Sequence, residues 1–263
     1  MPATGRAAHL LALRQRAENG LAALAGLAPS DVLRRRLERA APLLEALGTA
    51  PDGDSPELDS SIPKSSPWAA LLDCVTVQET RLFRTAPQLL SLSALLPDLP
   101  GRPLRLLSAG CATGEEAWSL SILAGASGIE AEVLGLDLCR PALKAAESGR
   151  YLAGPPDALR EVPPVFLPCF TQAGGWVMPR TGPRPIFRHA NLLHPPADLG
   201  TFDAILCRNV LIYLLPEARQ AVLRRLVAIL RPGGALLLGA TDKPDPGLPL
   251  AQVPGAHVMW RRL

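Results

Sequence analysis

Three groups of residues in this 263-residue chain have types and spacings suited to chemistry. The first is Ser108-Ala109-Gly110-Cys111-Ala112-Thr113-Gly114-Glu115-Glu116, where an apolar run ends in small residues and two glycines and then opens into a helical pattern. Glycine lacks a Cβ and accepts φ > 0, so such a turn lets backbone approach a ligand closely. Strand, loop and helix in that order form the entry of a nucleotide-type site. Two carboxylates follow at the helix N-terminus. They suit the helix dipole but repel a phosphate placed there. The pattern therefore points away from ATP or NAD and towards a nucleoside with positive charge, a description met by the sulfonium and ammonium groups of S-adenosylmethionine.

The second group is Asp137, at the end of the next apolar run and 23 positions after Gly114. An acid there bonds ribose hydroxyls in dinucleotide-type folds, and the competing reading is a helix N-cap. The third is the run 203–214, where an apolar segment ends in Arg208-Asn209 and continues to Tyr213. The carboxyl edge of a parallel sheet is where ligands bind, so Arg208, Asn209 and Tyr213 are expected to face a cleft. The plainer alternative is a surface ion pair for Arg208 and a half-buried packing role for Tyr213. Upstream, Gln78-Glu79-Thr80-Arg81-Leu82-Phe83-Arg84 reads by itself as a helix with a charged face.

The elements that must position these residues follow from periodicity. Apolar Leu33, Leu37, Ala40, Leu44 and Leu47 recur at three- and four-residue steps within a helical zone over 9–47. Ser30 suits its N-cap, Gly48 a C′ position, and Pro42 predicts a kink. Residues 49–67, rich in Pro, Ser, Asp and Gly, read as a linker. Beyond it, strands are expected over 104–108, 131–136, 186–190, 202–207 and 235–238. Helices are expected over 115–124, 141–147 and 216–230. Such alternation argues for a parallel sheet covered on both faces. The Pro- and Gly-rich stretch 151–188 breaks the alternation and reads as a small β-hairpin insertion.

Composition excludes several classes. No run of eighteen apolar residues occurs, so no transmembrane helix is expected, and residues 1–11 make a poor signal peptide. Five scattered cysteines without a C-x-x-C pair fit reduced thiols in the cytoplasm. Four histidines without ligand spacing predict no metal. A net charge of only +3 is weak support for nucleic acid, and none is expected as a partner.

In this order and at these intervals, the segments resemble the CheR-type chemotaxis receptor methyltransferases, which transfer methyl from S-adenosylmethionine to receptor glutamates. The family's N-E-T-x-F-F-R is similar to Gln78 through Arg84, its S-A-x-x-x-T-G-E-E to Ser108 through Glu116, and its C-R-N-V-x-I-Y to Cys207 through Tyr213. Asn191-Leu192-Leu193 matches its N-L-L. The likeness covers roughly 67–239, with a weaker helical match before it.

The resemblance implies an α/β fold: a doubly wound Rossmann-like methyltransferase sheet with a small N-terminal helical domain and linker (1–66), a methyltransferase domain (67–263) and the insertion at 151–188. It implies S-adenosylmethionine as methyl donor, with S-adenosylhomocysteine as product. Gln78, Thr80, Arg84, Gly110, Gly114, Glu116, Asp137, Asn191, Leu192, Arg208 and Asn209 would contact or border the donor. Arg84 and Tyr213 would face the acceptor. The insertion resembles the lobe that in some members adds a receptor tail by strand pairing.

A glutamate carboxylate is ionised at neutral pH, so attack on a sulfonium methyl requires orientation and desolvation rather than a general base. The chain departs from the family at Gln78 for Asn, Leu82 for Phe, Cys139 for the second acid of D-x-D, and Gly239-Ala240-Thr241-Asp242 for G-H-S-E. Arg34, Arg35, Arg36 and Arg39 form a basic face, read either as solvated or as a dock for an acidic helical substrate. A cytoplasmic monomer is expected. A methyltransferase acting on another acceptor and a non-catalytic donor-binding module remain the alternatives.

Overall fold

The computed structural model describes residues 3–49 and 66–263. Most of the expected linker lies outside the described residues. The amino-terminal part is helical: α1 (Ala3–Ala25), α2 (Asp31–Arg39), α3 (Ala41–Thr49) and α4 (Pro67–Val75). Leu13, Leu21, Leu37 and Leu47 meet Trp68, Leu71 and Val75 in one core, so α4, which follows residue 66, packs with the helices before it. Ser30 caps α2, accepting from the Leu33 amide at 3.1 Å, and Ser66 does the same for α4 through Ala69.

Pro42 does more than kink the helical zone. It separates α2 from α3 and occupies the first turn of the latter, where a missing N–H costs nothing. Gly48 is not a C′ residue but lies inside α3, where a Cβ would come within 2.6 Å of Leu13. Its role is close approach of α3 to α1.

The rest is a seven-stranded sheet with helices on both faces. Its strands are β1 (Leu104–Ala109), β2 (Ala131–Asp137), β6 (Ile186–His189), β7 (Phe202–Cys207), β8 (Leu230–Leu238), β9 (Leu250–Gln252) and β10 (Met259–Arg262). Three further strands, β3 (Tyr151–Leu152), β4 (Phe170–Ala173) and β5 (Trp176–Pro179), form a separate sheet in the order β3-β5-β4. The insertion is thus a hairpin with a third short strand. It ends before β6, which pairs with β2 in the main sheet, so residues 186–188 are not part of it.

The main sheet runs β6-β2-β1-β7-β8-β10-β9; β10 pairs antiparallel with both neighbours and is the one strand of this sheet that runs against the others. Successive strands step outward from β1 on one side and from β7 on the other, so the topological switch lies between these two. Alternate residues feed opposite cores. Leu104, Leu106, Ala204 and Leu206 face one, and Leu107, Ala109, Ile205 and Cys207 face the other. Helices α5 (Ala86–Leu95), α6 (Glu115–Ala126), α7 (Arg140–Ser148) and α8 (Pro216–Ile229) cover the sheet. No helix among the described residues is long and apolar enough to cross a membrane.

The helical unit is tied to the sheet at its carboxyl edge. The Asn191 side chain donates to Leu24 O (2.7 Å), the Ala28 amide to Tyr213 O (2.8 Å) and the Leu215 amide to Gly26 O (2.8 Å). Asp73 of α4 accepts from the Arg140 guanidinium at 2.6 and 2.8 Å. These ties set one wall of a cleft at that edge.

Candidate active site

At the carboxyl ends of β1, β2 and β7, directly over the switch point, an open cleft separates the helical unit from the sheet. Its floor is the loop after β1. Gly110 has φ +82, and a Cβ there would come within 2.3 Å of Val210. The amides of Gly110 and Cys111 both donate to Leu136 O, at 2.8 and 2.9 Å, which curls the loop over the end of β2.

Asp137 closes that end. One carboxylate oxygen accepts from the Ala112 amide (2.7 Å), and the other accepts from the Cys139 amide (2.8 Å) ahead of α7. Asp137 is not the helix N-cap, which is Cys139; it braces the loop that leads into α7 and lines the cleft. Burial pushes its carboxyl above the usual carboxylate range, while the amide bonds and His189 pull it down. Asp137 takes part in no salt bridge among the described residues, and its charge is available to a cationic ligand.

Glu116 is differently placed. Its oxygens accept from Ser108 Oγ (2.7 Å) and Arg208 Nε (2.7 Å) in a buried pair. Arg208 also donates to Arg84 O (2.8 Å) and Gln88 Oε1 (3.0 Å). Glu116 and Arg208 line the cleft, yet their polar atoms are committed to joining β1, α6, the end of β7 and the segment 76–85. Glu115 points instead to the Thr113 hydroxyl (2.6 Å), and burial raises its carboxyl.

The segment 76–85 is not a helix. It is a strap that crosses the cleft in extended and turn conformations, with Phe83 and Thr85 at φ +55 and +56. Leu82 and Phe83 are fully buried. The Phe83 ring stacks on Phe166 at 4.8 Å, and its amide donates to Ser119 Oγ (2.9 Å). This burial overrides the helical pattern and turns Thr80 and Arg84 towards the cleft. The Arg84 side chain folds back to Glu79 O (2.9 Å). Glu161 of the insertion holds the strap from outside, pairing with Arg81 and accepting from the Thr85 amide.

Asn191 and Leu192 line the opposite wall, and Asn209, with φ +58, and Tyr213 lie at the end of β7. Two expected residues fall outside. Gln78 turns away to Cys139 Sγ (2.6 Å) and Asp73 O (3.4 Å). Gly114, the N-cap of α6, packs against α7, where a Cβ would lie 2.6 Å from Ala146. Asn191 borders the cleft, but its side-chain amide is spent on α1.

The wall formed by Ala28, Ser30, Val32 and Leu33 was absent from the sequence reading. Its one signal was Val32, an exposed apolar residue off the buried stripe of α2.

The chain matches the family model described as "CheR methyltransferase, SAM binding domain" over residues 78–247. It is 36% identical over 192 residues to chemotaxis protein methyltransferase 1 of Pseudomonas aeruginosa, an alignment covering 65% of this chain and 68% of that protein. It is 32% identical over 224 residues to chemotaxis protein methyltransferase Cher2 of Pseudomonas putida, covering 79% and 80%. It is 34% identical over 211 residues to the chemotaxis protein methyltransferase of Klebsiella aerogenes, covering 76% and 71%.

Proposed function

The chain belongs to the CheR methyltransferase family, and from that premise we propose that it transfers methyl from S-adenosylmethionine to glutamate side chains of a chemoreceptor. The observation that carries this reading is the asymmetry of the cleft: Asp137 stands on one side with no salt bridge among the described residues, and Arg84 and Tyr213 lie on the strap and just after the end of β7.

The residues present fit the methyl donor. A Cβ on Gly110 would run into Val210, so the loop lines the cleft there with bare backbone, and the Asp137 carboxylate suits ribose hydroxyls and positive charge. Thr80, Leu192 and Asn209 border the same space. When bound, the donor supplies an electrophilic methyl on a sulfonium. Arg84 attracts and orients the acceptor carboxylate, and the Tyr213 hydroxyl fixes one of its oxygens. The apolar wall of Val32, Leu33 and Val77 excludes water from the reacting pair. No side chain needs to remove a proton, because a glutamate near its ordinary pKa of about 4.3 is already ionised.

The acceptor we infer is an acidic helical region of the receptor, approaching along α2 beside the cleft. Arg35 and Arg39 lie on that helix, whereas Arg36 turns inward to Cys74 O and Thr76 O. The protein acts in this reading as a cytoplasmic monomer. The β4 strand, an edge strand paired with β5 among the described residues, is where a receptor tail would add.

The test is transfer of labelled methyl from S-adenosylmethionine to receptor cytoplasmic fragments. Base-labile label on glutamate is the expected result. Donor binding without label on any receptor would overturn the acceptor assignment.

A further inference from the structure

The altered segment after β8 ends in a buried acid whose carboxylate makes no hydrogen bond with the strap or with the Arg208–Glu116 pair. Asp242 is 2% exposed, and neither carboxylate oxygen has a hydrogen-bond partner among the described residues. A buried carboxylate without partners is costly, and such groups in native folds call for a specific explanation.

Its surroundings supply one. The Asp242 amide donates to Gly239 O (3.0 Å) in a tight turn. A Cβ built on Gly239 would lie 2.7 Å from Asp242 Oδ2 and 3.2 Å from the Asn209 amide nitrogen. The carboxylate thus rests over the bare Cα of Gly239, beside the left-handed Asn209 that opens the turn towards Tyr213. Arg219 of α8 acts on it electrostatically, and its Nε is likewise buried without a hydrogen bond. Asp242, in the turn after β8, thus lies beside Asn209, and Arg219 acts on it from α8.

We propose that Asp242 is a positioning residue for the acceptor side of the site. Together with Arg219 it holds the turn from Asn209 to Tyr213 in register with the methyl donor. The inference rests on the methyltransferase reading and deepens it. It assigns to Asp242 the place of the acid that ends the family's G-H-S-E segment, with a side chain one methylene shorter.

The full-length Asp242→Asn variant separates positioning from simple structure. It keeps the volume and removes a buried charge. The unfolding midpoint is expected to stay level or rise, donor affinity to change by less than about threefold, and kcat on the receptor fragment to fall about tenfold or more. Asp242→Glu should restore most of kcat. Arg219→Gln should lower kcat similarly, and the double variant should be no slower than the worse single one.

Unchanged kcat in Asp242→Asn would overturn the proposal, as would a lowered midpoint with an unchanged kcat, a donor affinity lost in step with kcat, or strictly additive effects. If the unaltered protein methylates no receptor fragment, it is the functional reading that fails, a result seen before any variant is made.

Discussion

Arg208 donates Nε–H to Glu116 Oε2 at 2.7 Å in a pair whose side chains are 3% and 9% exposed. This is a joint of the scaffold more than a ligand contact. Removing one partner leaves the other charge buried, at a cost of about 3–5 kcal/mol. Glu116→Ala should lower stability by that amount in urea unfolding. Glu115→Gln, which leaves the hydrogen bond from Thr113 in place, should cost about 1 kcal/mol or less. Equal small losses in both would show that water reaches Glu116.

Asp137 should govern the pH dependence of donor binding. Its folded-state carboxyl is raised, chiefly by burial. A raised group contributes stability that is complete below its unfolded pKa and is lost as pH rises through the folded one. The free protein is therefore destabilised by this group at neutral pH, while a cationic ligand gains from it. Donor affinity measured by calorimetry should fall as pH drops through the raised value. Glu115 and Asp242 are raised by burial too, so the comparison is with Asp137→Asn. That variant should bind about tenfold or more weakly at neutral pH and lose the acid-side decline. A decline that persists in the variant would assign it elsewhere.

Arg84 and Tyr213 can be altered without undoing the strap or the turn. The backbone oxygens of Arg84 and Tyr213 carry the bonds to Arg208 and Ala28, and these survive Arg84→Ala and Tyr213→Phe. Each variant should keep donor affinity within a few-fold and lose about 10²-fold in kcat, the scale of removing one preorganised donor. Full methyl transfer in both would remove the acceptor-side assignment.

The parts of the fold legible from sequence were those set by local pattern. Phe202–Cys207 is buried at every residue and, Asp203 apart, reads as an apolar strand, and Ser30 sits where a cap must. The strap was misread because its shape is imposed from afar: Phe83 is held by Ser119 and Phe166, and no local signal announces the left-handed turns. Gln78 lies outside the cleft lining for the same reason, since its partner Cys139 is 61 positions away. Gly48 looked like a helix stop, but what requires glycine there is Leu13 of another helix. At the site, residue types were readable and their commitments were not. Glu116 and Asn191 line the cleft as expected, yet their hydrogen bonds are spent on the scaffold.

Gly110 offers a test of the cleft floor that leaves every charge in place. Its φ of +82 is disfavoured for any residue with a Cβ, and an added methyl would meet Val210 Cγ2 at 2.3 Å. Backbone strain alone is worth about 1–2 kcal/mol, and the clash must be relieved by moving the loop or Val210. Because the loop sits above the sheet edge, that movement falls on the ligand side more than on the core. Gly110→Ala should therefore weaken donor binding by about tenfold or more, with a smaller change in unfolding midpoint. Adding Val210→Ala removes the clash but not the strain, so the double variant should regain part of the affinity, a coupling that calorimetry on all four proteins measures. If Val210→Ala gives no recovery, strain alone accounts for the loss. If Gly110→Ala binds normally, the loop does not form the floor of the donor site.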